Sequence, residues 1–251
     1  SIKKTKKVGL AMIRKVTGIV ISTVDYKESS KIVNIFTEDE GIIGVLSKGC
    51  KTMKSKLRAV STPLSQGTFY LRQYGSGMSL LTEVDLEISY KEIRKDIFKQ
   101  NYALFLLDLA SQVYRHGKQK QIYSLLISAL AKIEEGYDAE VITNIVELQL
   151  LKYLGIQPEL SCCVSCGNKE DIITISSYKG GYLCKRCVGG EFVYSLKMIK
   201  LIKMLSLVDL DKVKRIDIRD EVKKEISIFI DDYYDRYSGI YLKSRDILRE
   251  F

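Results

Sequence analysis

From Met12 onward, apolar and polar positions alternate in short runs, the two-residue period of strands with one face in a core. Val, Ile, Thr, Tyr and Phe dominate the stretches 16–24, 31–37, 42–47, 68–74 and 78–84, with turn segments at 25–30, 38–41 and 75–77. Five strands within about 75 residues, with one longer connection at 48–65, have the proportions of a small OB-type barrel. An SH3-like barrel has a similar strand count, and periodicity does not separate the two. After Asp85 the period lengthens. Ile93, Ile97, Tyr102, Leu106, Leu109 and Val113 recur at three- to five-residue steps, followed by Ile122, Leu125, Leu126, Leu130 and Ile133, then Val141, Ile145, Leu148, Leu151 and Tyr153. These stripes predict three or more amphipathic helices, with breaks at His116-Gly117 and Glu135-Gly136 and a stop at Gly155 and Pro158. Helical spacing resumes at 196–207 and 222–234, so a cysteine-bearing insert at 162–187 is held between helices.

The expected fold is therefore an α+β multidomain chain. It comprises an OB-type barrel at 12–86, a helical domain at 87–160, a metal-binding insert at 161–192 and the rest of the helical domain at 193–251. Residues 1–11 precede Met12 and read as a non-native remnant or an N-terminal extension. Apolar runs such as 103–107 fall far short of the roughly 20 residues that span a bilayer. The lysines at 3, 4, 6 and 7 are followed by a run broken at Arg14 and Lys15, unlike a secretory signal, so a cytoplasmic protein is expected.

Charge becomes informative once located. Residues 1–80 hold 14 basic and 5 acidic side chains, while the remaining 171 balance 26 against 26, so the whole net charge of +9 lies in the first third. From Met12 to residue 80 the excess is still 10 over 5. Such a surface attracts nucleic acid or anionic membrane at long range, although basic surfaces also serve solubility.

Cys163-Val-Ser-Cys166 is followed, after 17 intervening residues, by Cys184-Lys-Arg-Cys187. Each C-x2-C turn supplies two thiolates, and two such turns complete a tetrahedral sulfur shell for one Zn2+. Four thiolates leave no open coordination position, so the metal would be structural. A redox dithiol or a pair of disulfides is the competing reading. Gly167 and Gly180-Gly181 stand where such a ribbon needs tight turns. Cys162 reads as a bystander, and Cys50 as a small side chain within a basic loop.

That loop carries Lys48, Lys51, Lys54, Lys56 and Arg58 with no acidic residue among them, and would form a mobile cationic arm suited to phosphates or an ordinary solvated loop. In the following strand, alternation places Tyr70, Arg72 and Tyr74 on one face, a stacking and backbone-tracking surface or a packing surface for a neighbour. Catalytic patterns fare poorly. Gly44-x4-Gly49 lacks the phosphate-loop lysine because Cys50 takes its place, and Gly75-Ser-Gly77 is not followed by a third glycine. His116 is the only histidine, which removes most acid–base relays. Glu38-Asp39-Glu40 and Asp231-Asp232 have no partners suited to two-metal chemistry.

The ordered combination of TGIVI at 17–21, YKESSKIVNIFTEDEG at 26–41, LSKG at 46–49, KSK at 54–56, CVSCG at 163–167, GGYLCKRC at 180–187 and LKSRDIL at 242–248 resembles the RecO family of bacterial recombination mediators. The resemblance covers about Met12 to Leu248 and implies an N-terminal OB domain, a helical domain and a zinc-binding region. It also implies a non-enzymatic role in DNA repair: binding of single- and double-stranded DNA, annealing of complementary strands, and action with RecR in loading RecA onto strands coated by SSB. It places the protein in the cytoplasm with the nucleoid. A groove in the helical domain would receive the acidic, apolar SSB tail, with Arg115, Lys118 and Lys120 as its cations. A zinc-ribbon RNA-binding or transcription-associated module is the alternative from another class, and an enzyme with an unrecognised carboxylate site is the third.

Overall fold

The computed structural model describes residues 12–74, 77–242, 244–245 and 248. The basic stretch 1–11, Gly75 of the glycine turn and parts of the LKSRDIL motif lie outside the described residues. Two compact units divide the chain, one through Tyr90 and one from Lys91.

In the first unit, β1 (Met12–Tyr26), β2 (Ser30–Thr37), β3 (Gly41–Ser47), β4 (Gln66–Gln73) and β5 (Leu80–Ile88) close into a barrel in the order β1-β2-β3-β5-β4. This order distinguishes the OB arrangement from an SH3-like one: β1 pairs with both β2 and β4, and β3 meets β5 in parallel. β1 serves two partners because it is long and bent. Its first half, from Met12 to Ile19, pairs with β4, its second half pairs with β2, and a register shift between Val20 and Ser22 lets it turn. Val16, Val20, Val33, Ile35, Val45, Phe69, Leu71 and Leu81 fill the interior, each taken from alternate positions of its strand. The first unit runs past the expected boundary at 86 because β5 continues to Ile88 and Tyr90 is buried, its hydroxyl bonded to the Gln66 side chain.

In the second unit, α1 (Lys91–Lys95), α2 (Ile97–Gly117), α3 (Gln121–Glu134) and α4 (Ala139–Leu150) precede the insert, and α5 (Leu196–Leu207) and α6 (Asp220–Tyr237) follow it. Local chemistry sets these ends. The Asp96 carboxylate accepts the amides of Phe98 and Lys99 at the start of α2, and Asp138 does the same for Glu140 and Val141 on α4. Lys118, in the left-handed region, stops α2 by returning its amide to the Tyr114 carbonyl at 2.7 Å.

The expected single apolar stripe on α4 proves too narrow, since nine of its twelve residues are buried. Its polar members find partners inside: Asn144 donates to Ser227 at 3.2 Å, and Glu147 bonds the guanidinium of Arg245. Arg245, from the LKSRDIL motif, also lies 3.1 Å from Asp231 and over the Tyr234 ring at 4.6 Å. Both members of the Glu147–Arg245 pair are 7% exposed at the side chain, where a charge stripped of its partner is costly. Replacing Arg245 by methionine should therefore destabilise the helical unit by about 3–5 kcal/mol, measured by denaturant unfolding of the full chain.

Candidate functional site

The insert is built on a two-stranded sheet of β6 (Ile172–Ser176) and β7 (Gly181–Cys184). Between Cys163 and Cys166 the chain turns tightly: the Gly167 amide returns to the Cys163 carbonyl at 2.8 Å, with Gly167 at φ +74°. The second knuckle closes through the Cys187 amide on the Cys184 carbonyl at 2.9 Å. Gly181 is required by close approach, because a Cβ there would stand 2.5 Å from the Glu159 carbonyl oxygen. Its strand is in turn anchored by Tyr182, whose amide donates to Glu159 and whose hydroxyl donates to the Ile199 carbonyl on α5 at 2.7 Å.

These turns bring Cys163, Cys166, Cys184 and Cys187 together with all four sulfurs within 4.8 Å of one another. The Cys166 and Cys184 sulfurs are 3.7 Å apart. A tetrahedral Zn2+ with Zn–S bonds near 2.3 Å needs sulfur separations of about 3.8 Å, whereas a disulfide needs about 2.05 Å. The spacing suits a shared cation, and Cys50 and Cys162 stand outside the cluster. The electrostatics agree. Burial opposes ionisation of Cys163, but amide hydrogen bonds at Cys184, Ser165 and Cys166 overcome it and hold the thiol at about 6. Hydrogen bonds to Cys166 and Cys184 push Cys187 the other way, up to about 12. A cation held among the sulfurs would oppose that shift and favour the Cys187 thiolate.

In the barrel, residues 48–65 differ from the mobile arm expected of them. Cys50 is 2% and Leu64 1% exposed, and Leu57 packs on the barrel core. Ser47 and Ser61 share a 2.8 Å hydrogen bond, and the Lys51 amide donates to Ser29 on the β1–β2 turn at 3.0 Å. The Lys51 ammonium lies 2.7 Å from Asp25, and the hydrogen bond and charge of Lys51 hold the Asp25 carboxyl below its usual range. Lys48, Lys54, Lys56 and Arg58 are exposed and form no ion pair among the described residues. Lys27 and Lys31, which the sequence reading missed, join them. Lys31 pairs with Ser47, directly before Lys48, and Lys27 sits in the β1–β2 turn.

The face expected of Tyr70, Arg72 and Tyr74 is divided. The Tyr70 hydroxyl donates to Asp85 at 2.9 Å, which raises its pKa, and its β5 neighbour is Glu83. Arg72 instead pairs with Leu80, at the end of an outward row of cross-strand neighbours running Val24, Ile32, Leu46, Leu80. Its Nε is buried with no hydrogen-bond partner. Tyr74 is 54% exposed.

Arg115, Lys118 and Lys120 are exposed at the α2–α3 turn. A cavity of about 720 Å³ in the helical unit lies elsewhere, between Phe98, Tyr102 and Phe105 of α2, Glu140, Thr143 and Glu147 of α4, and Asp220 and Asp231 of α6. Phe105 and Arg115 are separated by about 15 Å along the helix axis. The structure thus does not bring the three cations to the cavity, whose lining carboxylates Glu140, Glu147, Asp220 and Asp231 are accompanied by Lys224 and Arg245. Among the described residues, no helix is long and apolar enough to cross a membrane.

An OB barrel followed by a helical unit that carries a four-cysteine insert defines the class of this protein. The profile described as Recombination protein O N terminal matches residues 12–90, and that of Recombination protein O C terminal matches residues 94–246. The chain is 35% identical to DNA repair protein RecO of Bacillus pumilus (strain SAFR-032) over 244 residues, 95% of this chain and 94% of that one. It is 35% identical to DNA repair protein RecO of Halalkalibacterium halodurans over 241 residues, 94% of each chain. It is 36% identical to DNA repair protein RecO of Exiguobacterium sp. (strain ATCC BAA-1283 / AT1b) over 239 residues, 94% and 96% respectively. The chain belongs to the RecO family of DNA repair proteins.

The cysteine cluster makes a direct prediction. Reduced full-length protein should carry one zinc per chain by elemental analysis, Cys184→Ser should lose it, and Cys50→Ser and Cys162→Ser should retain it. Because binding expels the Cys187 proton, zinc affinity in competition with a chelator should weaken as pH falls.

Proposed function

We propose that this chain is a non-enzymatic, DNA-binding recombination mediator acting in the bacterial cytoplasm at the nucleoid. In this reading it anneals complementary strands and, with RecR, helps load RecA onto single strands coated by SSB. Family membership supports the repair role. The partners and the annealing step are this reading's own extension of it. The cysteine cluster holds one structural Zn2+ that secures the insert against α5 and α6. The SSB tail is assigned to the α2–α3 turn, where Arg115, Lys118 and Lys120 are exposed cations.

One observation carries the DNA assignment: a fixed loop, bare of carboxylates, beside the outward apolar row of an OB barrel. Single strands commonly cross strands 2 and 3 of this fold between flanking loops. Here Ile32, Leu46 and Leu80 form an apolar floor for bases, with Lys31 and Lys48 at one margin and Arg72 and Tyr74 at another. Lys54, Lys56 and Arg58 extend the cationic track for phosphates, and the unsatisfied Arg72 Nε supports a ligand contact at that margin. Lys51 contributes less because Asp25 already neutralises it. Tyr70 contributes little, since Glu83 and Asp85 repel phosphate at its side of the barrel.

Binding to fluorescent single strands should weaken steeply with salt. Lys48, Lys54 and Lys56 replaced together by glutamate should flatten the log–log salt slope by roughly two units, from about 0.7 per phosphate contact. Tyr74→Ala should weaken binding with the slope kept, and Tyr70→Ala should change neither. Unaltered affinity and slope in the triple variant would refute the barrel assignment. Annealing assays on bare and SSB-coated strands, with and without RecR, test the mediator role, and no annealing in any arm would refute it.

A further inference from the structure

One side chain of the cationic loop has no part in the phosphate track. Met53 is 83% exposed, more than any other large apolar residue among those described. A solitary exposed methionine is ordinary on a protein surface, so its exposure alone carries nothing. Its surroundings are less ordinary. Met53 stands between Lys51 and Lys54 in a stretch, residues 48–58, with five cations and no carboxylate. The loop's own apolar anchoring is done by Cys50 and Leu57, so folding makes no demand on Met53.

The backbone beneath it is fixed by successive turns. The Thr52 amide donates to Gly49 at 3.2 Å, Ser55 to Thr52 at 3.1 Å, and Arg58 to Ser55 at 3.2 Å. The Thr52 hydroxyl adds a bond to the Gly49 carbonyl at 2.9 Å. A side chain projected from such a support loses little further backbone freedom on binding. Arg58 accompanies it, with Nη1 2.8 Å from the Met53 sulfur.

We infer that Met53 is a base-step wedge: with DNA on the loop, its thioether enters between adjacent bases and unstacks them while Lys54, Lys56 and Arg58 hold the flanking phosphates. Apolar wedges set among cations open base steps in this way, the lost stacking being offset by backbone contacts that the distorted strand can make. An unbranched, polarizable side chain fits between bases of any identity. The wedge would leave bases unstacked on the protein surface, where an incoming complementary strand can pair with them. This inference rests on the DNA-binding reading above and specifies what the loop does to its ligand.

The test uses the full chain, saturating single-stranded and duplex oligonucleotides that carry 2-aminopurine at successive positions, since its fluorescence rises when stacking is lost. Wild type should raise the signal at one or two neighbouring positions. Met53→Ala should cut that rise to about half or less while keeping the salt slope of binding, and Met53→Leu should preserve it. Met53→Lys separates the wedge from general damage to the loop: the added cation should tighten binding yet abolish the rise. Salt-dependent binding with no rise in wild type, or with an equal rise in Met53→Ala at every position, would overturn the wedge and leave the DNA-binding reading standing. Absence of salt-dependent binding in wild type would overturn both.

Discussion

Five cations within eleven residues repel one another, and left free they would spread into solvent. The barrel opposes this by burying what lies between them. Cys50 and Leu57 sit at the two ends of the cationic tip, and Leu64 and the Ser47–Ser61 hydrogen bond secure the stem. The hydrophobic interior of the first unit thus fixes the spacing of charges on its surface. A fixed spacing matters because a preorganised row of cations loses less entropy on meeting a strand than a floppy one does. Asp25 spends a single charge to fasten the loop to the β1–β2 turn.

The helical unit meets a comparable problem with a different solution. Its central helix, α4, is surrounded on nearly every side, so its polar residues must be satisfied from within. Glu147 depends on Arg245, which lies almost a hundred residues later, and Asn144 depends on Ser227. The cysteine insert interrupts the helices without leaving them. Ser177 bonds Asp232, Tyr237 donates to the Tyr178 carbonyl at 3.0 Å, and Tyr182 reaches α5. The backbone turns gather the four cysteines at the two knuckles, and these hydrogen bonds tie the insert to α5 and α6.

Local chemistry was legible in the sequence, and long-range register was not. Strand positions in the barrel followed from two-residue alternation, and each of β1 to β5 overlaps a stretch so identified, whereas the short β6 and β7 of the insert were not anticipated. The gathering of four cysteines was legible because each C-x2-C turn is self-contained. The choice between OB and SH3-like closure was not, since it depends on whether β3 meets β5, a pairing without a local signal. The split of the β4 face has the same origin: Tyr70 lies opposite Glu83 and reaches Asp85 diagonally, while a register shift after Tyr70 sets Arg72 opposite Leu80, pairings that alternation does not encode. Lys27 and Lys31 escaped notice because they lie in a different segment from the loop they join. Arg245 was visible only as part of a terminal motif, with no hint that its charge would be buried.

The parallel meeting of β3 and β5 is the thinnest part of the barrel wall, a single register pair, Leu46 with Leu80, supported by the Leu46 amide on the Ser79 carbonyl at 2.9 Å. Every other neighbouring pair of strands is joined over seven or more paired positions. A cylinder held this unevenly has a seam, and thermal opening begins where the fewest bonds must break. Leu46 and Leu80 are also the last two members of the outward apolar row, so a strand crossing that row would lie over the seam like a suture. The ligand would then brace the wall that carries it, and amides along β3 and β5 would exchange more slowly in the complex than in the free protein.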